Sequence, residues 1–209
     1  MLKIYGRANS INVRKILWLC EEIALPYARE DWGRGFRPTS EPAFRQVSRF
    51  GLVPVIDDDG FVLRESNAII RYLAASRGRR DLYPEDLRAR ATIEAWMDWA
   101  ATDLFSGLRP VFIGLHVKTP EFADKPGAIE WGLWQWARQM QLLEAELAAS
   151  GGPYISGEGF TLADIPIGLV VNRWFGLDFE KPELPAVSRY YERLSTRPAY
   201  LAHGRNGTP

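Results

Sequence analysis

The sequence predicts a mixed α/β segment followed by an all-helical one, in a chain of 209 residues. Three observations carry that expectation. Short apolar runs broken by turn residues fill the first third. A stretch that opens with Gly-Arg-Arg-Asp and closes on a Pro, Gly78–Pro84, interrupts the pattern. After it, apolar residues recur at helical spacing and no clear strand pattern is left. The domains expected are residues 1–78, a linker at 79–86 and a helical domain at 87–209.

Leu2–Tyr5 is a short strand candidate, and Gly6–Asn9 a turn. Val13, Ile16, Leu17 and Cys20 fall at i, i+3, i+4 and i+7, which predicts an amphipathic helix over Asn12–Glu22. Pro26 ends it, and Tyr27–Asp31 is a second strand candidate. Arg34–Ser48, with Gly, Pro, Ser and Arg, reads as loop with a short helix. Val53–Ile56 and Phe61–Arg64 read as strands joined through Asp57-Asp58-Asp59-Gly60, because Asp-Gly supports positive φ in a tight hairpin turn. Ser66 is placed to cap a helix carrying Ala68, Ile69, Tyr72 and Leu73. Beyond the linker, Arg88–Leu108 reads as one helix and Pro126–Ser150 contains another.

Composition narrows the function. There are 26 Lys and Arg against 26 Asp and Glu, so no global charge favours nucleic acid or an anionic membrane. Residues 1–78 carry 12 basic and 9 acidic side chains, a difference too small to imply a partner. One Cys permits no intrachain disulfide, which fits a reducing cytoplasm. Two His, at 116 and 203, leave few bases for a Ser-His or Cys-His nucleophile and cannot build a His-rich metal site. No metal is expected. The N-terminus lacks the apolar core of a signal peptide. The longest apolar run, Ile165–Val171, is far below the ~20 residues of a membrane span. A soluble, cytoplasmic chain is expected.

Three small signals carry chemistry. Ser10 with Asn12-Val13-Arg14 stands at a helix start. It reads as a plain cap, or as a hydroxyl beside a helix N-terminus able to hold an anion such as a thiolate. Leu52-Val53-Pro54-Val55 puts a Pro in a strand-like run. It reads as an edge or bulge, or as a cis-Pro that turns the Val53 N–H and C=O toward a peptide-like ligand. Arg64-Glu65-Ser66-Asn67 precedes an apolar helix. It reads as a cap, with a further reading in which Ser66 and the helix N–H groups hold a carboxylate while Glu65 faces an amine.

The order and spacing of these motifs resemble the cytosolic glutathione transferase family, of the bacterial, serine-type kind, over nearly the whole chain. Leu2–Tyr5, Ser10–Lys15, Gly51–Val55 and Glu65–Ile69 resemble its thioredoxin-like domain. Thr161-Leu162-Ala163-Asp164 resembles the N-capping box of a buried helix in its helical domain, and Tyr190–Leu194 with Arg197-Pro198 its closing helix. The resemblance implies a glutathione transferase that adds the thiolate of glutathione to small hydrophobic electrophiles. Glutathione is then a co-substrate, no further cofactor is needed, and the chain is a homodimer. It also implies residue roles: Ser10 faces the sulfur and Asn12 assists in the same turn. Val53 pairs with the cysteinyl backbone, Pro54 is cis, and Glu65 and Ser66 hold the γ-glutamyl group.

Trp99, Phe105 and Leu108 are candidates for the electrophile's wall, although aromatics at helical spacing also read as core or interface. Leu52 lacks the polar group that the family often uses for the glycine carboxylate; Arg34, Arg37 or Gln46 are candidates to replace it. Ser48-Arg49-Phe50 stands where the family commonly has Asn-Pro. Thr102 or Asp103 is a candidate to reach a partner subunit's glutamyl amine. Cys20 lies on the apolar face of the first helix and reads as a buried structural thiol. The Trp-rich stretch 131–136 reads as helix packing. Two alternatives stay open: a glutathione-dependent disulfide or peroxide reductase, lowered by the absence of C-x-x-C, and a non-catalytic binding module, for which Leu52 speaks.

Overall fold

A computed structural model describes all 209 residues. The N-terminal part is a four-stranded sheet formed by β1 (Leu2–Tyr5), β2 (Tyr27–Glu30), β3 (Val55–Asp58) and β4 (Phe61–Arg64). The strands lie in the order β2-β1-β3-β4. β1 runs parallel to β2, with Leu2 opposite Tyr27, and antiparallel to β3, with Ile4 opposite Ile56. Leu2 and Ile4 point inward while Lys3 faces solvent, the period-two alternation of a half-covered sheet. The β3–β4 hairpin turns through Asp59 and Gly60 at φ 51° and 94°, and the Gly60 N–H donates to Asp57 Oδ1 at 2.7 Å. Helices α1 (Ile11–Glu22), α2 (Pro42–Val47) and α3 (Ser66–Ser76) complete this part.

Several boundaries differ from the sequence expectation, most by one residue. β3 is Val55–Asp58 rather than Val53–Ile56: Pro54 has no N–H to enter the ladder, and Asp57 and Asp58, expected in the turn, pair with β4. Ser66 is the first residue of α3 and Glu65 stands in the cap position. The helix expected to end at Leu108 continues to Val117. It comprises α4 (Leu87–Trp99), a π-helical turn at Ala100–Leu104, α5 (Phe105–Val111) and a second π-helical turn at Phe112–Val117. Pro110, with no N–H to donate, sits between the two wide turns.

The helical part continues with α6 (Pro126–Ser150), α7 (Asp164–Gly176), α8 (Pro185–Leu194) and α9 (Pro198–His203). No helix is long and apolar enough to cross a membrane. The start of α7 is held by the expected box: Asp164 accepts hydrogen bonds from the Thr161 N–H at 2.8 Å and the Ile155 N–H at 3.1 Å. Of the tryptophans at 131–136, only Trp136 is packed inside; Trp131 and Trp134 are exposed, which corrects the packing expectation for that stretch. α5 and α6 meet at their backbones. A Cβ on Gly107 would sit 2.5 Å from the Trp136 nitrogen, and one on Gly132 would sit 2.9 Å from the Gly107 oxygen.

One apolar core runs through both parts. Its bridge is α1. Trp18 is fully buried, with its ring 4.7 Å from that of Tyr200 and 5.6 Å from that of Phe160. Arg14, also buried, donates to the carbonyls of His203, Gly204 and Thr208 at the end of the chain. Glu22 takes a two-pronged bond from Arg197, at 2.8 and 2.6 Å, and a third from the Trp18 indole at 2.9 Å. Replacing Glu22 with Gln removes the charge opposite Arg197 at this junction. The expected loss is about 1–3 kcal/mol of stability, read as a lower urea midpoint.

Candidate functional site

The N-terminal end of α1, the segment before β3 and the long helix of the second part enclose a cleft of about 630 Å³. Ser10, Asn12, Leu52, Val53, Arg7 and Arg34 line it from the first part. Phe105, Arg109, Phe112, His116 and Arg173 line it from the second.

Ser10 sits just before α1 at φ −82°, ψ 124°, and its carbonyl accepts the Arg14 N–H at 2.9 Å. Its side chain makes no capping hydrogen bond. The cap is therefore one of backbone shape, and the hydroxyl at the cleft is uncommitted. The Val53–Pro54 peptide is cis. Val53 stands outside the ladder that begins at Val55, so its N–H and C=O are not used by the sheet.

Glu65 holds φ 69°, ψ 110°, a left-handed conformation rare for a residue with a side chain. Its carboxylate pairs with Arg64 at 2.8 Å in solvent. Ser66 is buried, and its hydroxyl donates to Asn12 Oδ1 at 3.3 Å. That hydroxyl also accepts from Lys15 Nζ at 3.2 Å, and Lys15 reaches Asn67 Oδ1 at 3.1 Å. Asn67 in turn donates to the Met97 carbonyl at 2.9 Å, tying the start of α3 to α4. Asn12 is thus the link between the Ser10 turn and Ser66. Glu65, Ser66 and Pro54 stand beside the cleft rather than in its wall.

Lys15 is a functional candidate that the sequence reading misses. The one signal for it is a lysine inside the apolar run from Val13 to Cys20. Burial pushes its ammonium down to about 8, and Glu65 is its favourable neighbour. Lys15→Met leaves Ser66 and Asn67 without their shared donor. For the glutathione that the resemblance implies, the expected result is a KM raised about 5- to 20-fold in steady-state kinetics.

The second-substrate candidates divide. Phe105 lines the cleft. Leu108 is wholly buried in the core, so it cannot touch a ligand. Trp99 packs edge-on against Trp96 at 5.4 Å and its indole N–H donates to Gln139 Oε1 at 3.1 Å, behind the wall. Phe105, Arg109, Phe112 and His116 form the actual wall, a stripe at i, i+4, i+7 and i+11. Of the candidates for the glycine carboxylate, Arg34 lines the cleft. Arg37 stacks on Trp32 at 3.7 Å and pairs with Glu41 at 3.1 Å, and Gln46 is not in the wall. Thr102 and Asp103 are exposed. Cys20 is buried and its thiol is pushed up to about 12 by burial, so it is no nucleophile.

A family model described as the glutathione S-transferase N-terminal domain matches residues 9–76, and one for the C-terminal domain matches residues 122–198. The chain belongs to the glutathione S-transferase family. It is similar to glutathione S-transferase GstB of Escherichia coli (strain K12), 37% identical over 201 residues and covering 95% of each chain. It is also similar to the disulfide-bond oxidoreductase YfcG of the same strain, 32% identical over 212 residues, covering 95% of this chain and 92% of the other. Among solved structures, a theta class glutathione S-transferase from Xanthomonas axonopodis pv. citri with glutathione bound matches at TM-score 0.89 and 39% identity. It covers 97% of this chain and 96% of that one. The sheet order, with α1 and α3 against it and a helical second part, is the glutathione S-transferase fold.

Proposed function

We propose that this glutathione S-transferase family member binds glutathione with its sulfur at Ser10 and transfers the thiolate to an electrophile in the cleft. The observation that carries the reading is the uncommitted Ser10 hydroxyl at the N-terminus of α1, facing a cleft beside the unpaired backbone of Val53. The cysteinyl backbone of glutathione pairs with Val53. The γ-glutamyl carboxylate meets the α3 N-terminus and Ser66, above the buried Lys15, and its amine meets Glu65. Arg34 holds the glycine carboxylate in place of the apolar Leu52. The sulfur then forms its bond to the electrophilic carbon while the leaving group departs with its electron pair.

The similarity to a disulfide-bond oxidoreductase favours a second reading, reduction of disulfides by glutathione in the same site. The buried Cys20 supplies no resolving thiol, so that route consumes two glutathione molecules per disulfide. Titration with glutathione tests both: the absence of saturable binding at millimolar levels overturns them together. A panel of chlorinated aromatics, epoxides, disulfides and hydroperoxides then separates them.

The working unit is a homodimer in the cytoplasm. Phe50, stacked under Arg64, and Val62 leave apolar surface exposed on the side of β4 away from α3, a face that a second copy would cover. Sedimentation at micromolar concentration tests it, with a monomer as the opposing result.

A further inference from the structure

We propose that the electrophile side of the cleft takes a substrate carrying a carboxylate or sulfonate, held by Arg173. This deepens the transferase reading and rests on it. Arg173 is 4% exposed, on the last turns of α7. Its Nε has no hydrogen-bond partner, and no carboxylate lies within ion-pair distance of it. Its one aromatic partner is Phe112, whose ring centroid lies 3.6 Å from the guanidinium carbon. A buried guanidinium in this state is costly unless an anion meets it. A purely structural arginine at a helix C-terminus would spend its N–H groups on carbonyls, as Arg14 does in this chain.

The side chains of the wall supply no free counter-charge. Arg7 and Arg34 share the cleft with Arg173, the one side-chain carboxylate, Glu121, is bound to Arg109 at 2.6 Å, and the main-chain oxygen of Pro209, also in the wall, accepts from Arg14 at 3.3 Å. His116 faces the same space and is pushed toward its neutral form by burial and by Arg173. The two carboxylates of glutathione answer this charge only in part in the proposed pose. One lies at α3 and the other at Arg34, itself a charged neighbour of Arg173, and the three guanidiniums of Arg7, Arg34 and Arg173 leave positive charge over for a second anion beside Phe112. The ligand that fits is flat or short, apolar enough for Phe105 and Phe112, and anionic at the end that meets Arg173. In the reaction the sulfur attacks the carbon bearing the halide, the C–S bond forms, and halide leaves with the electron pair of the broken bond. No oxidant is involved.

The test compares 4-chloro-3-nitrobenzoate with 4-chloro-3-nitrobenzamide at saturating glutathione, each rate divided by its uncatalysed rate with glutathione. The wild-type protein is expected to favour the acid at least tenfold in kcat/KM. Arg173→Met is expected to lower the acid-to-amide ratio 10- to 100-fold, and Arg173→Lys to restore part of it. A wild-type preference for the amide, or a ratio unmoved by R173M, overturns the proposal. If R173M does not fold, inhibition of the wild type by 3-nitrobenzoate and 3-nitrobenzamide decides. The acid should bind at least tenfold more tightly, less so in high salt; equal inhibition overturns the proposal. Glutathione titration separates the two levels. Without glutathione binding the transferase reading falls and this proposal with it, whereas binding with equal handling of acid and amide overturns this proposal alone.

Discussion

Replacing Ser10 with Ala is expected to raise the pKa of the bound glutathione thiol by about 1–2 units and to cut kcat/KM near pH 6.5 about 10- to 100-fold. A free thiol titrates near ~8.5, and lowering it by about two units takes roughly 2.7 kcal/mol. A hydrogen bond to a charged group is worth about 1.5–3 kcal/mol, and a helix N-terminus adds about 0.3–1 kcal/mol. In the proposed pose Ser10 supplies the first and α1 the second. The variant keeps the helix and loses only the hydroxyl, which makes no capping bond, so thermal stability should change little. The measurement is the ultraviolet absorbance of the thiolate in the complex against pH. An unchanged titration would assign the thiolate's stabilisation to another group and leave Ser10 a backbone cap.

Asp164→Ala is expected to cost about 3–5 kcal/mol of stability, the largest effect of any single substitution considered. The carboxylate is wholly buried and holds the N–H groups of Thr161 and Ile155 together with the Tyr190 hydroxyl at 3.0 Å. Removing it leaves three buried donors unpaired at about 1–3 kcal/mol each, before any relaxation. Burial pushes the Asp164 carboxyl up to about 6, with those hydrogen bonds opposing. The folded state therefore keeps its proton to higher pH than the unfolded chain does. Wild-type stability should fall by about 2–3 kcal/mol as pH rises from about 4 to about 6, and that slope should vanish in D164A. Urea unfolding at several pH values reads both effects, and a slope that persists in the variant would point to another group.

Much of this protein is legible in local sequence pattern. β4 falls where alternation and the Asp-Gly turn place it. Ser10, Asn12 and Val53 meet in one cleft because each lies within a few residues of a chain feature with its own signature, a helix start or a Pro. The misplaced residues fail for want of a facing. Helical spacing alone does not say which side of a long helix meets the cleft: Phe105, Arg109, Phe112 and His116 share that side, while Leu108 turns into the core and Trp99 turns to Gln139. Arg173 is illegible for a different reason. It lies more than 160 residues along the chain from Ser10. Nothing in its neighbours marks it; only the packing of α7 beside α1 brings the two to one cleft.

The touching backbones at Gly107 and Gly132 bear on how this cleft can diversify. With no side chain between them, α5 and α6 have no slack to slide or part, and any larger residue at either position would drive the helices apart. The helical wall of the cleft is thus a fixed plank with interchangeable pegs at 105, 109, 112 and 116. The shape of the space is written peg by peg: trimming Phe105 or Phe112 enlarges it by about the volume of that ring, while the plank itself stays still.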